Sequence, residues 1–479
     1  MTYHSTLPPV PVPAIGSGLY TRTVSRLLFP LHERLKRHST VAVHQALERS
    51  QYLPLAQLQA LQFDRLHRLL LRAQQQSPYY RERFAAIGFD PARDMPPAAG
   101  AAAVLHRLPL LDKAVIRAHG DRIRAADAHG LARFTTGGSS GEPLAFDIGR
   151  ERVSHDVAAK WRATRWWDVD IGDREVVVWG SPIELQRQHR LKDWRDRMLR
   201  TELLPAFAMS EARLDGFIAR IRARRPRMLF GYPSALAHIA RHAQLRGAPM
   251  DSLGIKVAFV TSERLYPEQR ADIERTFGCP VANGYGGRDA GFIAHQCPHG
   301  GMHLTAEDIV VEILDPAGQP VAPGTSGEIV VTHLATGDFP FIRYRTGDIG
   351  ALSATACACG RTLPLLRDIE GRSTDFVIAA DGTVMHGLAL IYVLRELPGI
   401  TAFKIIQESL ALTRVQVVLA VMSSPVGAPL LFQKIIAGVR QRLGAWVEVR
   451  VEPVAAIAPE ASGKFSYVVS RLDAHGQRP

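Results

Sequence analysis

Cysteine is scarce in this chain, four in 479 residues. That excludes a fold built on disulfides and leaves the thiols a local role at most. Nor is there an apolar run near the ~18 residues that a membrane-spanning helix needs, so no integral membrane segment is expected. Residues 1–20 are rich in proline and glycine and lack the apolar core of a secretory leader. A cytoplasmic location is the corresponding expectation. Lysine is scarce too: eight of the 58 basic residues are lysine and the rest arginine, within a formal net charge of +12. Such a balance suits nucleic acid, a bilayer surface or an anionic small molecule. The densest basic stretches, 187–200 and 220–227, read as solvated helix faces without interleaved aromatics that would stack on bases. Nucleic acid is therefore not expected as a partner, and the abundance of arginine and alanine fits a GC-rich coding sequence.

What is present is an ordinary globular composition, 46% hydrophobic and 22% charged, long enough for more than one domain. Residues 1–20 read as a loose arm within an N-terminal segment 1–53. Leu55, Leu58, Leu61, Leu66, Leu69, Leu70 and Ala73 keep helical spacing, which predicts an amphipathic helix over about 54–86. Ala98 to Val104 reads as a small, apolar loop. Strand and helix signals then alternate: a strand at 176–179, a helix at 213–224, a strand at 255–260 and a helix at 267–277. That order argues for an α/β domain with a largely parallel sheet. Strands at 309–314 and 327–334 follow, separated by the turn Asp315-Pro316-Ala317-Gly318. Beyond a boundary near Gly371 comes a smaller α+β unit, with strands near 401–407, 413–421 and 447–453 and a helix near 429–443. The expected domains are 1–370 and 371–479.

The most informative stretch is Thr135-Thr136-Gly137-Gly138-Ser139-Ser140-Gly141-Glu142-Pro143. Glycines that allow positive φ, set among hydroxyls and exposed N–H groups, suit the phosphates of a nucleotide. The run lacks the Gly-Lys-Ser/Thr of a P-loop. By itself it fits a phosphate cradle or a polar hairpin loop equally well. Four further pieces follow in order: Gly284-Tyr285-Gly286-Gly287-Arg288-Asp289 after a strand, Tyr344-Arg345-Thr346-Gly347-Asp348 closing a second strand region, Gly371-Arg372-Ser373-Thr374-Asp375, and Ser462-Gly463-Lys464-Phe465. This set resembles the adenylate-forming superfamily, and within it the phenylacetate–CoA ligase-like branch that includes CapK-type proteins. Residues 74–81, 108–113 and 231–236 are similar to that branch as well.

The resemblance implies a large domain of layered sheets and helices with a small barrel-like β part, followed by a small mobile C-terminal domain. It implies ATP-dependent activation of a small-molecule carboxylic acid to an acyl-adenylate, with release of pyrophosphate. The acyl group would then pass to the thiol of coenzyme A or of a carrier protein's phosphopantetheine. Thr135, Thr136, Gly138, Ser139, Ser140 and Gly141 would cradle the pyrophosphate. Tyr285 and Gly286 would meet adenine, and Asp348 the ribose hydroxyls. Asp289 stands where the family has a Mg²⁺-binding Glu. Arg372 would lie near the ribose and α-phosphate, and Lys464 would bridge the attacking carboxylate and the α-phosphate. Two positions depart from the family: Thr374 at the usual hinge aspartate and Glu142 at a frequent lysine. They leave room for an alternative, a degenerate scaffold that binds nucleotide or a partner without forming a thioester. An acid pocket is expected around Tyr232, Phe259 and Tyr285.

Cys297, His303, Cys357 and Cys359 resemble a Cys/His set of some relatives, suited to tetrahedral Zn²⁺. His299 is a rival fourth ligand. Read from spacing alone, these are a zinc site or ordinary reduced thiols. Cys279 reads as a core residue at a strand entry.

Overall fold

A computed structural model describes residues 18–96, 100–135, 144–179, 190–206, 211–372, 376–380, 384–386, 388–395, 397–420, 427–457 and 467–472. They form two compact units that meet in sequence at Glu370 and Gly371.

In the larger unit a hairpin of β1 (Ala132–Thr135) and β2 (Ala145–Ile148) precedes the main sheet. That sheet is built from β3 (Glu175–Trp179), β4 (Thr201–Pro205), β5 (Met228–Gly231), β6 (Val257–Thr261), β7 (Val281–Gly287), β8 (Gly291–Gln296), β9 (Met302–Leu304), β10 (Ile309–Leu314), β11 (Gly327–His333), β12 (Tyr344–Leu352) and β13 (Leu365–Arg372). Its order is β10-β11-β12-β13-β9-β8-β7-β6-β5-β3-β4. From β4 to β7 the neighbours are parallel. The connections there run through the helices Arg190–Leu199, Glu211–Arg224, Pro233–Leu245 and Pro267–Phe277. A parallel pair needs such a crossover, and the helices cover its faces. Accordingly β5 and β6 are buried along their whole length. At β7 the sheet turns antiparallel, through the β7–β8 hairpin. The part expected to be barrel-like is hydrogen-bonded into this same sheet.

Three segments differ from the sequence reading. The helix expected over 54–86 is two helices, Leu55–Gln76 and Pro78–Ala86. Pro78 has no N–H to continue the first, and the Ser77 hydroxyl caps the second by accepting the Tyr80 N–H at 3.4 Å. Residues 100–106 are helical, not a loop; alanine is the strongest helix former, and Ala101, Val104 and Leu105 supply a buried face. From Leu19 the supposed arm is helical and docked. His44 stacks on Trp161 with ring centroids 3.8 Å apart, and Leu47 packs with Ala158 and Ala159.

The surface these helices dock on is the helix Arg150–Arg165, whose core-facing residues include two fully charged ones, Arg152 and Arg162. Arg162 donates to Glu307 at 2.6 Å and to the Leu47 carbonyl at 3.3 Å, and Glu307 also accepts the Ser50 hydroxyl at 2.7 Å. Two turns away, His155 meets Asp308 at 2.8 Å, and Arg65 donates to the same carboxylate and to the Glu307 carbonyl. Burial disfavours charge on His155, yet Asp308 outweighs it and holds the imidazole above its ordinary value.

The smaller unit has a four-stranded sheet in the order Glu448–Pro453, Leu412–Leu419, Ile400–Gln407, Val468–Ser470. The helices Leu388–Arg395 and Gly427–Leu443 pack with it. The fully buried Gln407 donates to the Ile378 carbonyl at 2.7 Å and accepts its N–H at 2.9 Å, pinning the strand Phe376–Ile378.

Removing one member of a buried ion pair leaves the other charged and unsolvated. Arg162→Ala is therefore expected to cost about 3–5 kcal/mol of unfolding free energy. Arg162→Met combined with Glu307→Leu should cost much less. Urea denaturation of both variants measures this, and an unchanged midpoint for Arg162→Ala would mean the pair is dispensable.

Candidate functional site

The β1–β2 hairpin places the exposed Thr135 opposite Ala145, the pair of the ladder next to the glycine- and hydroxyl-rich run. Thr136, Gly138, Ser139, Ser140, Gly141 and Glu142 lie outside the described residues, as do Thr374 and Lys464. Arg372 ends β13; its side chain is likewise outside the description.

The remaining candidates come together between β7 and β12. Tyr285, half-buried on β7, donates its hydroxyl to Asp348 of β12 at 2.8 Å. Tyr344, fully buried at the start of β12, donates to Asp289 in the β7–β8 turn at 2.7 Å. Two tyrosine–carboxylate pairs thus run in opposite senses across neighbouring segments and fix their spacing. Burial, with Asp348 beside it, pushes the Tyr285 phenol well above its ordinary value, so it stays a donor at neutral pH. The other Asp289 oxygen accepts the Ala290 N–H at 3.1 Å. Both oxygens of this carboxylate therefore hold a hydrogen bond, a constraint the sequence did not reveal. The motif Tyr344 to Asp348 opens a strand where the sequence reading had it closing one, and the glycine-rich motif 284–287 lies inside β7.

Backbone constraints support this arrangement. A Cβ on Gly286 would lie 2.2 Å from the Gly291 carbonyl oxygen, and one on Gly291 would lie 2.6 Å from the His333 ring. The hairpin closes this tightly because both positions lack a side chain. Beneath the turn, Arg152 donates to the Arg288 carbonyl at 3.0 Å and the Asp289 carbonyl at 3.2 Å, and to Asp156 at 3.0 Å. Asp156 in turn meets His333 at 3.4 Å. Burial opposes ionisation of Asp156, but Arg152 and His333 hold its carboxyl below the usual range. Arg152 and Tyr344 are the residues that sequence reasoning missed. Tyr344 stood inside a recognised motif, whereas an arginine on a helix carries no signal of burial. Arg345, in that motif, pairs with Glu328 at 2.6 Å on the surface.

Of the three aromatics expected around an acid pocket, Phe259 is a core residue. It has no exposure and packs on Phe230 and His295. Tyr232 is buried and stacks on Trp179, centroids 4.3 Å apart. Tyr285 alone of the three is half-open.

A second cluster lies farther along the sheet. The ligand atoms of Cys297, His303, Cys357 and Cys359 all fall within 4.8 Å of one another. The Cys297 and Cys357 sulfurs are 3.6 Å apart, and the Cys359 sulfur is 3.1 Å from His303 Nε2. In a tetrahedral zinc site with bonds of ~2.3 Å, donor atoms stand roughly 3.8 Å apart. His303 Nδ1 lies 3.3 Å from the Leu363 carbonyl. When Nδ1 carries the proton, Nε2 faces the sulfurs as a free lone pair. A Cβ on Gly301 would lie 2.8 Å from the Cys357 sulfur, so the turn after Cys297 needs glycine to approach. His299, the rival ligand, is exposed and outside the set. In the metal-free geometry burial pushes Cys297 up to about 12 and His303 down to about 4. Neutral imidazole and thiolate are the ligating forms, and Arg361 beside Cys359 holds that thiol below its ordinary value against its burial. Cys279 is buried in the core, as expected.

Comparison with known proteins matches residues 204–336 to the AMP-binding enzyme family and residues 377–471 to the CapK C-terminal domain. A phenylacetate-coenzyme A ligase of Thermus thermophilus is 25% identical, over 68% of this chain and 73% of its own length. Protein CapK of Staphylococcus aureus is 24% identical, over 61% of this chain and 64% of its own length. The crystal structure of 2-hydroxyisobutyryl-CoA ligase in the postadenylation state shares the fold with a TM-score of 0.70 at 21% identity, covering 88% of this chain and 90% of that one. In these two segments and in these relatives the chain is similar to the AMP-binding enzymes, and among them to the phenylacetate–CoA ligases and CapK.

Proposed function

We propose that the protein is an AMP-forming acid–thiol ligase, which couples a small carboxylic acid to the thiol of coenzyme A. A carrier protein's phosphopantetheine is the second acceptor that the chemistry allows. The observation that carries the reading is the paired tyrosines and carboxylates at β7 and β12, which set Tyr285 and Asp348 side by side. With its hydroxyl tethered, the Tyr285 ring is held in one orientation for adenine. Asp348 would accept the ribose hydroxyls beside the bond it already takes from Tyr285. Gly286 lets the nucleotide approach the backbone closely.

A carboxylate is a poor electrophile, and its attack on an α-phosphate brings negative groups together. In the reaction its oxygen bonds to the α-phosphorus, and the bond to the β-phosphate oxygen breaks to release pyrophosphate. Thr135 and the run Thr136 to Gly141 would hold the departing pyrophosphate through hydroxyls and N–H groups. Arg372 and Lys464 would supply positive charge where it develops. Thiol attack on the acyl carbon would then expel AMP. Asp289 would help hold Mg²⁺ with the lone pairs its two hydrogen bonds leave, through a water because its arm is one methylene shorter than Glu. The ion would neutralise phosphate charge. Thr374, Glu142 and the shorter Asp289 favour the alternative of a degenerate, nucleotide-binding scaffold, so the test must separate the two.

Pyrophosphate release from MgATP, measured across aryl, fatty and hydroxy acids with and without coenzyme A, does so. Acid-dependent release is expected, falling at least about 100-fold in Lys464→Ala. ATP binding without release for any acid would favour the scaffold. The cluster Cys297, His303, Cys357 and Cys359 would hold a structural zinc that fastens the turn after β8 to the loop between β12 and β13. About one zinc per chain is expected by elemental analysis of the purified protein. Cys357→Ser together with Cys359→Ser should remove it and lower the thermal midpoint, and full-length protein without zinc would refute the assignment.

A further inference from the structure

The helical stretch Leu19–Thr23, Val24–Leu28, Phe29–Leu35 buries one side on the larger unit through Thr21, Val24, Ser25, Phe29 and Glu33. The side it leaves outward is apolar where an ordinary surface helix would be polar. Leu27, Leu31 and Leu35 are 61%, 53% and 78% exposed. Their spacing of four residues sets them in one line about 12 Å long. Around the line stand exposed Arg22, Arg26, Arg34, Lys36 and Arg37. Between Gly18 and Ser39 the one acidic residue is Glu33, which is buried and engaged by His32, His38 and Thr40.

The helix Arg190–Leu199 extends the same surface. Tyr20 donates its hydroxyl to the Met198 carbonyl at 3.0 Å, and the Arg200 guanidinium lies 3.6 Å over the Tyr20 ring. Trp194 on this helix is 64% exposed, and Arg197 is exposed beside it in sequence. On this helix the partly exposed Asp196 is paired with Arg195 at 2.6 Å. Protruding leucines and a tryptophan, flanked by arginines, are the make-up of a helix that lies in a bilayer interface.

We propose that this face docks the protein on an anionic phospholipid bilayer, with Leu27, Leu31, Leu35 and Trp194 entering the headgroup–acyl boundary and the surrounding arginines meeting lipid phosphates. No helix among the described residues is long and apolar enough to cross a membrane, so the attachment is peripheral. Charge complementarity selects this occupant. A second copy of the chain would set five cations against five cations across a two-fold axis. A nucleic acid would satisfy the arginines and leave the leucines in water. Only an anionic interface with an apolar interior answers both features.

The test is co-sedimentation of the full chain with vesicles of phosphatidylcholine alone or of equal parts phosphatidylcholine and phosphatidylglycerol. Binding is expected to the anionic vesicles and to weaken with salt. Leu27→Ser, Leu31→Ser and Leu35→Ser together should lower the partition coefficient at least about tenfold, with the thermal midpoint unchanged. An independent readout on the intact protein is quenching of tryptophan fluorescence by brominated lipid, which Trp194→Phe should largely abolish. Equal sedimentation with and without anionic lipid would overturn the proposal. So would retention of full binding by the leucine variant, or a dimer in analytical ultracentrifugation that the leucine substitutions dissolve.

Discussion

The architecture depends on a helix that carries its charges inward. Arg150–Arg165 lies where the N-terminal helices, β8 and the 305–308 segment converge, and it meets all of them with ionic side chains. Arg162 reaches Glu307 and the N-terminal helices, His155 reaches Asp308, and Arg152 reaches the carbonyls of the β7–β8 turn. Isolated charges at such depth would cost far more than they return. They are tolerable because each guanidinium nitrogen that is used meets a carboxylate or a carbonyl, and guanidinium is planar and weakly hydrated enough to be enclosed. The geometry of the candidate site is thereby tied to the packing of the N-terminal helices, which lie far away in sequence.

The site itself is built by cross-bracing. Tyr285 on one strand secures a carboxylate on another, and Tyr344 on the second secures a carboxylate back on the turn of the first. Neither pair alone would fix the separation of the two segments, but together they leave little freedom to shear. The glycines at 286 and 291 let the hairpin close tightly enough for both hydroxyls to reach.

Much of this could be read in advance, and the exceptions share a cause. The strands 176–179, 309–314 and 327–334 were legible because they are short, mostly apolar runs, and the helix 267–277 because Pro267 and Gly278 bound it. Tyr285, Asp348 and Asp289 were legible because their motifs are compact in sequence. Arg152, Arg162 and the docking of His44 on Trp161 were not, since burial of a charge is decided by partners 100 or more residues away. The choice between His299 and His303 was likewise open in the sequence. It turns on the pairing of β9 with β13, which faces His303 toward the cysteines. The alanine-rich stretch at 100–106 misled because small apolar residues look like a loop by composition and are helix formers by propensity.

The scarcity of lysine has a consequence for the inward charges of Arg150–Arg165. A lysine enclosed as Arg152 and Arg162 are would shed its proton as burial deepened, and its hold on Glu307 or on the turn carbonyls would fade with alkalinity. Guanidinium keeps its proton throughout the range in which proteins stay folded. A coding bias toward arginine has in this way supplied the one basic side chain that can be walled in without becoming a titration point.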